Sequence, residues 1–287
     1  MPATPNHCSG CLYMHKRIGR CVKVLFALVS SICSMVAVAA DLNVCAGKNE
    51  MPFSNEAKEG FENEIAQVLA KELNRTLNFV WWSNALTVGK DLDEGKCDVI
   101  IGADPQDPRV MPTKPYYKSA YVFITRKDRE IDIDSWDHPY LKEKNFRIGV
   151  MPDSPGKNML LAINRFDDMF DYFTEIQNFQ STRNRYIRVE PSRLVNDVET
   201  MHIHTAMLWA PEAARYVNAK PDLKMVIVKD NAKKANGQQI PMHYEVVMGV
   251  RKGNTELRDA INRVIDNKSD EILSILKKEG IPLLPLK

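Results

Sequence analysis

Residues 60–73 read GFENEIAQVLAKEL, and this stretch decides the fold. Phe61, Ile65, Val68, Leu69 and Leu73 recur at helical spacing with charges on the other side, which predicts an amphipathic helix. Before it, residues 41–55 (DLNVCAGKNEMPFSN) read as a short strand and a loop with a Pro52-Phe53 tip. After it, residues 76–82 (TLNFVWW) read as a second strand. Strand, loop, helix and strand within roughly 40 residues form a βαβ unit, which requires parallel pairing and a right-handed crossover. Ligands of such sheets bind beyond the carboxyl ends of the strands. Phe53, in the loop after the first strand, is therefore aimed at that crevice; ordinary loop packing is the alternative.

Upstream, Lys16, Arg17, Arg20 and Lys23 precede an apolar run from Val24 to Val38 that ends in Ala37-Val38-Ala39-Ala40. A basic start, a short apolar centre and a small-residue exit describe a secretory signal over residues 1–40, with Met14 as a possible true start. The run is short for a membrane span, and a retained anchor is the weaker reading. Residues 1–40 hold four basic and no acidic residues, so a whole-chain count of 39 basic against 37 acidic becomes 35 against 37 after cleavage. That balance points to neither nucleic acid nor an anionic membrane surface. Cys8, Cys11, Cys21 and Cys33 leave with the signal, so Cys8-x-x-Cys11 is no metal or redox site. Cys45 and Cys97 remain, on neighbouring strands of a chain bound for an oxidising compartment. A disulfide between them is expected, two buried thiols being the alternative.

The same grammar continues along the chain. Residues 83–95 read as a loop and short helix ending at Gly95, and residues 96–103 (KCDVIIGA) as a strand buried on both faces. Two prolines turn the chain over 104–110, and a Pro115-Tyr116-Tyr117 tip leads into a strand at 121–125, where the first crossing between lobes is placed. Strands follow at 146–150, 187–189, 205–210 and 223–228, with helices at 153–166, capped by Ser154, and at 192–199 and 211–219. Residues 167–186 have weak periodicity and receive no assignment. A polar loop at 232–239, a strand at 244–252 and helices at 255–267 and 269–280 complete the chain. The expected architecture is α/β and two-lobed, each lobe a mostly parallel sheet flanked by helices, with two crossing strands. Its boundaries are 41–126 for the first part of lobe 1, 127–230 for lobe 2, and 231–287 for the return crossing and the last helices of lobe 1.

This order resembles the type II periplasmic solute-binding proteins of the polar amino-acid class over nearly the whole mature chain. The family's Pro-Phe loop and GF(D/E)-x-(D/E) helix start match Pro52-Phe53 and Gly60-Phe61-Glu62-Asn63-Glu64, and its G-x-x-D strand matches Gly95-Lys96-Cys97-Asp98. Its turn whose Arg holds a ligand carboxylate falls on Asp107-Pro108-Arg109. The resemblance implies a ligand cleft, for which Phe53, Asp104, Arg109, Tyr117, Ser154 and Trp209 are the candidates by position. A structural, salt-bridged Arg109 is the competing reading. The sequence departs from the family where an Asp usually meets the ligand ammonium: here the strand exits at Trp209-Ala210-Pro211. Glu212, one step further on, is read as an acid favouring its helix N-terminus rather than a ligand contact.

A narrower resemblance lies in Trp81-Trp82 and in residues 121–142, 178–195 and 210–217, which look like the MxaJ-type proteins of bacterial methanol oxidation. It implies a periplasmic accessory protein that assists assembly or activation of a pyrroloquinoline-quinone methanol dehydrogenase by contact with its subunits, without catalysis of its own. The alternative is the amino-acid- or carboxylate-binding component of an ABC transporter; an enzyme on the same fold is a distant third. No catalytic constellation, metal site or cofactor is expected. His202-x-His204 lacks a nearby third ligand, and Asp132, Asp134 and Asp137 read as a solvated face.

Overall fold

The computed structural model describes residues 40–82, 88–152, 154–167 and 189–286. Apart from Ala40 and Asp167, the signal expected over 1–40 with its four cysteines and the unassigned segment 167–186 lie outside the described residues, as do the start of the loop at 83 and most of the strand expected at 187–189. The first half of the fold begins with β1 (Asp41–Gly47), a small ribbon of β2 (Asn49–Glu50) and β3 (Ser54–Asn55), and α1 (Phe61–Glu72). It continues with β4 (Thr76–Trp82), α2 (Val88–Asp93), β5 (Val99–Ala103) and β6 (Met111–Pro112). β1 lies between β4 and β5 and is parallel to both, as a right-handed βαβ unit requires. Phe61, Ile65 and Leu69 of α1 are fully buried against Leu42, Val44 and the last helices of the chain.

The start of α1 explains the GF motif. Four amide groups open any helix without partners inside it. Here the Phe61 N–H donates to the Pro52 carbonyl at 3.1 Å and the Glu62 N–H to the Phe53 carbonyl at 2.9 Å. Buried Asn63 accepts from the Gly60 and Asn55 N–H groups through its Oδ1, each at 3.2 Å, which is the N3 half of a capping box, while its own N–H donates to the Gly60 carbonyl at 3.0 Å. A Cβ on residue 60 would stand 2.0 Å from the Phe53 carbonyl oxygen, so only glycine lets the loop close on the helix. The loop tip and Phe53 are thereby fixed by α1.

β7 (Tyr117–Arg126) carries the chain into the second half. There follow β8 (Ile148–Val150), α3 (Pro155–Ala162), α4 (Pro191–Glu199), β9 (Thr205–Trp209), α5 (Ala210–Asn218) and β10 (Leu223–Ile227). The chain returns through β11 (His243–Val250) and ends on α6 (Thr255–Asn267) and α7 (Ser269–Lys278). One sheet path runs β4-β1-β5-β11-β7-β9-β8, with β10 added to β7 and β6 to β11. The sheet is mixed: β8 and β9 are parallel, whereas β7 and β11 are antiparallel to their neighbours. Tyr117–Ala120 of β7 pair with β11, and Tyr121–Arg126 pair with β9 and β10. The passage between halves therefore falls at Ala120–Tyr121, ahead of the boundary expected at 126/127.

Separate cores form on the two sides. In the second half, Phe123, Ile133, Trp136, Leu160 and Met207 pack on one face of the sheet. Leu194, Val198, Leu208 and Val217 pack on the other. Cys45 and Cys97 are joined by a disulfide, their Cα atoms 5.5 Å apart. The halves also meet through a buried ion pair: Arg215 of α5 grips Glu279, just after α7, with Nε–Oε2 at 2.6 Å and Nη2–Oε1 at 2.7 Å. Arg215 also donates to the Glu59 carbonyl at 3.0 Å.

Candidate functional site

Between the halves lies a cleft of about 640 Å³, within the range of roughly 300–1,000 Å³ that small-molecule sites occupy. Its aromatic wall follows from strand register. Tyr121 of β7 pairs directly with Trp209 of β9, and their rings sit 5.4 Å apart. Tyr244 of β11 faces Ser119, two residues from Tyr121 on the same face of the pleat, so it meets Tyr121 diagonally at 6.1 Å. Trp209 and Tyr244 close the triangle at 5.9 Å. Tyr117, two residues further along that face of β7, and Phe53 from the capped loop complete the aromatic lining.

Of the six residues expected at the cleft, the structure brings Phe53, Asp104, Tyr117, Ser154 and Trp209 to its wall. Asp104 is exposed and accepts the Gln106 N–H at 2.7 Å. Ser154 caps α3: its Oγ accepts the Gly156 N–H at 3.2 Å and donates to the Met151 carbonyl at 2.8 Å, so its hydroxyl hydrogen is already engaged. Arg109 does not line the cleft. Its guanidinium forks onto Asp107, Nε–Oδ1 at 2.9 Å and Nη2–Oδ2 at 2.7 Å, and its stem packs on Gly89. That pairing pulls the Asp107 carboxyl below its ordinary range. The structural, salt-bridged reading of Arg109 is therefore the arrangement seen, with the acid two residues before it engaging the guanidinium.

The acids also fall differently from expectation. Glu212, in the first turn of α5, lines the cleft together with Glu62, in the first turn of α1. The strand exit at Trp209-Ala210-Pro211 carries no acid, but the inner wall holds carboxylates on Glu62 and Glu212. Both complement a helix N-terminus, which is why sequence reasoning assigned Glu212 there, but a first-turn acid also faces whatever the N-terminus faces. Burial pushes the Glu62 carboxyl up to about 7, outweighing the helix dipole that favours its charge. Among the described residues no hydrogen bond or ion pair meets that carboxyl. Its Oε1 lies where a Cβ on residue 102 would be 2.1 Å away, so Gly102 leaves the room it occupies. Tyr117 and Tyr121 are held well above the ordinary phenol range by burial first; Glu62 and Glu212 reinforce this at Tyr117, and Glu212 at Tyr121. Lys234 is the only Lys or Arg among the described lining residues, and its Nζ donates to Gln238 Oε1 at 3.0 Å.

The remaining polar clusters do not converge. His204 accepts the Arg147 N–H through Nδ1 at 3.0 Å and stacks on Phe146, and desolvation lowers its pKa. Asp132 pairs with Lys224 and Asp134 with Lys229, while Asp137 lies by Ser135. No described helix is long and apolar enough to cross a membrane.

A two-half sheet with an aromatic cleft at the crossing of antiparallel strands defines a solute-binding architecture. The model of bacterial extracellular solute-binding proteins, family 3, matches residues 42–278, and the chain belongs to that family. Protein MoxJ of Methylorubrum extorquens is 38% identical over 251 residues, covering 86% of this chain and 83% of the relative. The crystal structure of MxaJ from Methlophaga aminisulfidivorans matches with a TM-score of 0.79 at 40% identity, over 85% of this chain and 100% of that one. The periplasmic binding protein XoxJ from Methylobacterium extorquens AM1 matches with a TM-score of 0.61 at 26% identity, over 85% and 100%.

Proposed function

We propose that this chain is a periplasmic, solute-binding-like accessory protein of methanol oxidation, assisting assembly or activation of the quinone-dependent methanol dehydrogenase by protein–protein contact and performing no chemistry itself. The observation that carries this reading is the similarity to MoxJ and MxaJ, at 38% and 40% identity, along most of the chain. The diversion of Arg109 onto Asp107 supports it, because the family's means of gripping an amino-acid carboxylate is turned away from the cleft. A second reading, the amino-acid- or carboxylate-binding component of a transporter, is favoured by the persistence of an aromatic cleft with Phe53 on its wall.

Deleting the gene and restoring the secreted chain separates the two readings. The accessory reading expects little active methanol dehydrogenase in the deletion strain, recovered on complementation, with amino-acid uptake unchanged. Full dehydrogenase activity in the deletion strain, with a lost uptake activity, contradicts it.

A further inference from the structure

Three carboxylates, on Glu62, Asp104 and Glu212, and a fourth on bordering Glu245, line a cleft whose single described lysine is tied to Gln238 of its own loop. Beside them, Tyr121, Trp209 and Tyr244 form a triangle of rings with interplanar angles of 54°, 75° and 84°. The rings come from three strands contributed by both halves of the molecule. A cation centred over such a triangle lies within the roughly 6 Å of each centroid over which ring quadrupoles attract charge. Glu62 adds an independent observation: a half-buried carboxyl on the cleft wall, without an ion-pair partner among the described residues, held in space that Gly102 leaves open. Enclosing such a group is unfavourable until a cation or a proton meets it.

We propose that the cleft binds a small organic ammonium ion lacking a carboxylate group, with Tyr121, Trp209 and Tyr244 as its aromatic box and Glu62 as its counter-charge. A carboxylate on the guest would meet like charge on several sides, with Arg109 already committed to Asp107. The inference does not rest on a role in methanol oxidation, and either stands if the other fails. Tyr116 and Tyr117 lie within electrostatic reach of Glu62, and Glu212 of α5 lies within reach of Tyr117. Burial holds both phenols neutral, so the carboxyl is the group that changes charge as pH rises to neutrality. Ammonium binding therefore displaces its proton and strengthens from pH 5 to pH 8.

The probes are tetramethylammonium and ethylammonium, with acetate and glycine as comparators, titrated calorimetrically into the secreted protein at pH 5 and pH 8. Saturable ammonium binding is expected, tighter at pH 8, and weakened about tenfold or more in both Glu62→Gln and Trp209→Ala. Glycine and acetate bind more weakly or not at all. Melting curves without ligand show whether each variant is folded; Tyr244→Phe, which keeps a ring, retains binding and provides a check on the box. The inference is overturned by no saturable response to either ammonium ion, by acetate or glycine binding more tightly, or by unchanged ammonium affinity in the folded variants.

Discussion

Glu62 and Arg109 carry opposite lessons about single side chains. Glu62 keeps its proton to about 7 because burial costs its charged form more than the helix N-terminus returns. Between the ordinary carboxyl value of 4.5 and about 7 the folded state holds more protons than the unfolded one, so stability falls as pH rises across that window. The full effect, at most about 3 kcal/mol, is reached above it. Tyr116 and Tyr117 lie within electrostatic reach of it, and burial keeps both phenols neutral across that window. Glu62→Gln is thus expected to match the parent in urea unfolding at pH 4 and to exceed it at pH 8. A variant weaker than the parent at pH 8 contradicts an enclosed, unpaired acid. Arg109 is exposed to screening solvent while Asp107 is largely covered, so Arg109→Ala is expected to change unfolding free energy by about 1 kcal/mol and to leave cleft affinity unchanged.

Among the elements, α1 and the crossing strands do the positioning. Gly60→Ala forces a methyl against the Phe53 carbonyl and is expected to cost about 2–3 kcal/mol or more, and to weaken any ligand that touches Phe53. α1 and its βαβ unit were legible because apolar spacing, a Pro-Phe tip and a glycine start all agree locally. Phe53 and Trp209 were legible as well, since strand exits face the crevice in such sheets. Tyr121 and Tyr244 were not, because they face each other only through the β7–β11 register, which no local pattern encodes. The segment around Lys234 and Gln238 reads as an ordinary polar loop, yet the fold brings it over the cleft. Arg109 was misplaced for the opposite reason: a motif match suggested its role, while an acid two residues away decided its direction. Across the halves, the α5 residue Arg215 holds buried Glu279, and its removal leaves that charge uncompensated. Arg215→Ala is expected to cost about 3 kcal/mol and to increase the radius of gyration in solution scattering. An unchanged radius with lost stability would show that the pair stabilises without holding the halves together.

For the whole molecule, one disulfide ties β1 to the segment entering β5 across a sequence separation of 52 residues. Replacing both Cys45 and Cys97 with alanine is expected to lower unfolding free energy by about 4 kcal/mol, read by urea titration against the disulfide-bonded parent. The scaffold is that of a solute-binding protein, yet Arg109 pairs with Asp107 outside the cleft, whose wall is acidic and aromatic. That combination, with chain-long similarity to MoxJ and MxaJ, supports the proposal that the chain acts through contact with another protein. The most direct measurement is affinity capture of the tagged, secreted chain from the periplasm of methanol-grown cells, with bound proteins identified by mass spectrometry. The account predicts methanol dehydrogenase subunits in near-stoichiometric amount, whereas a capture free of dehydrogenase from protein that copurifies with an amino acid would contradict it.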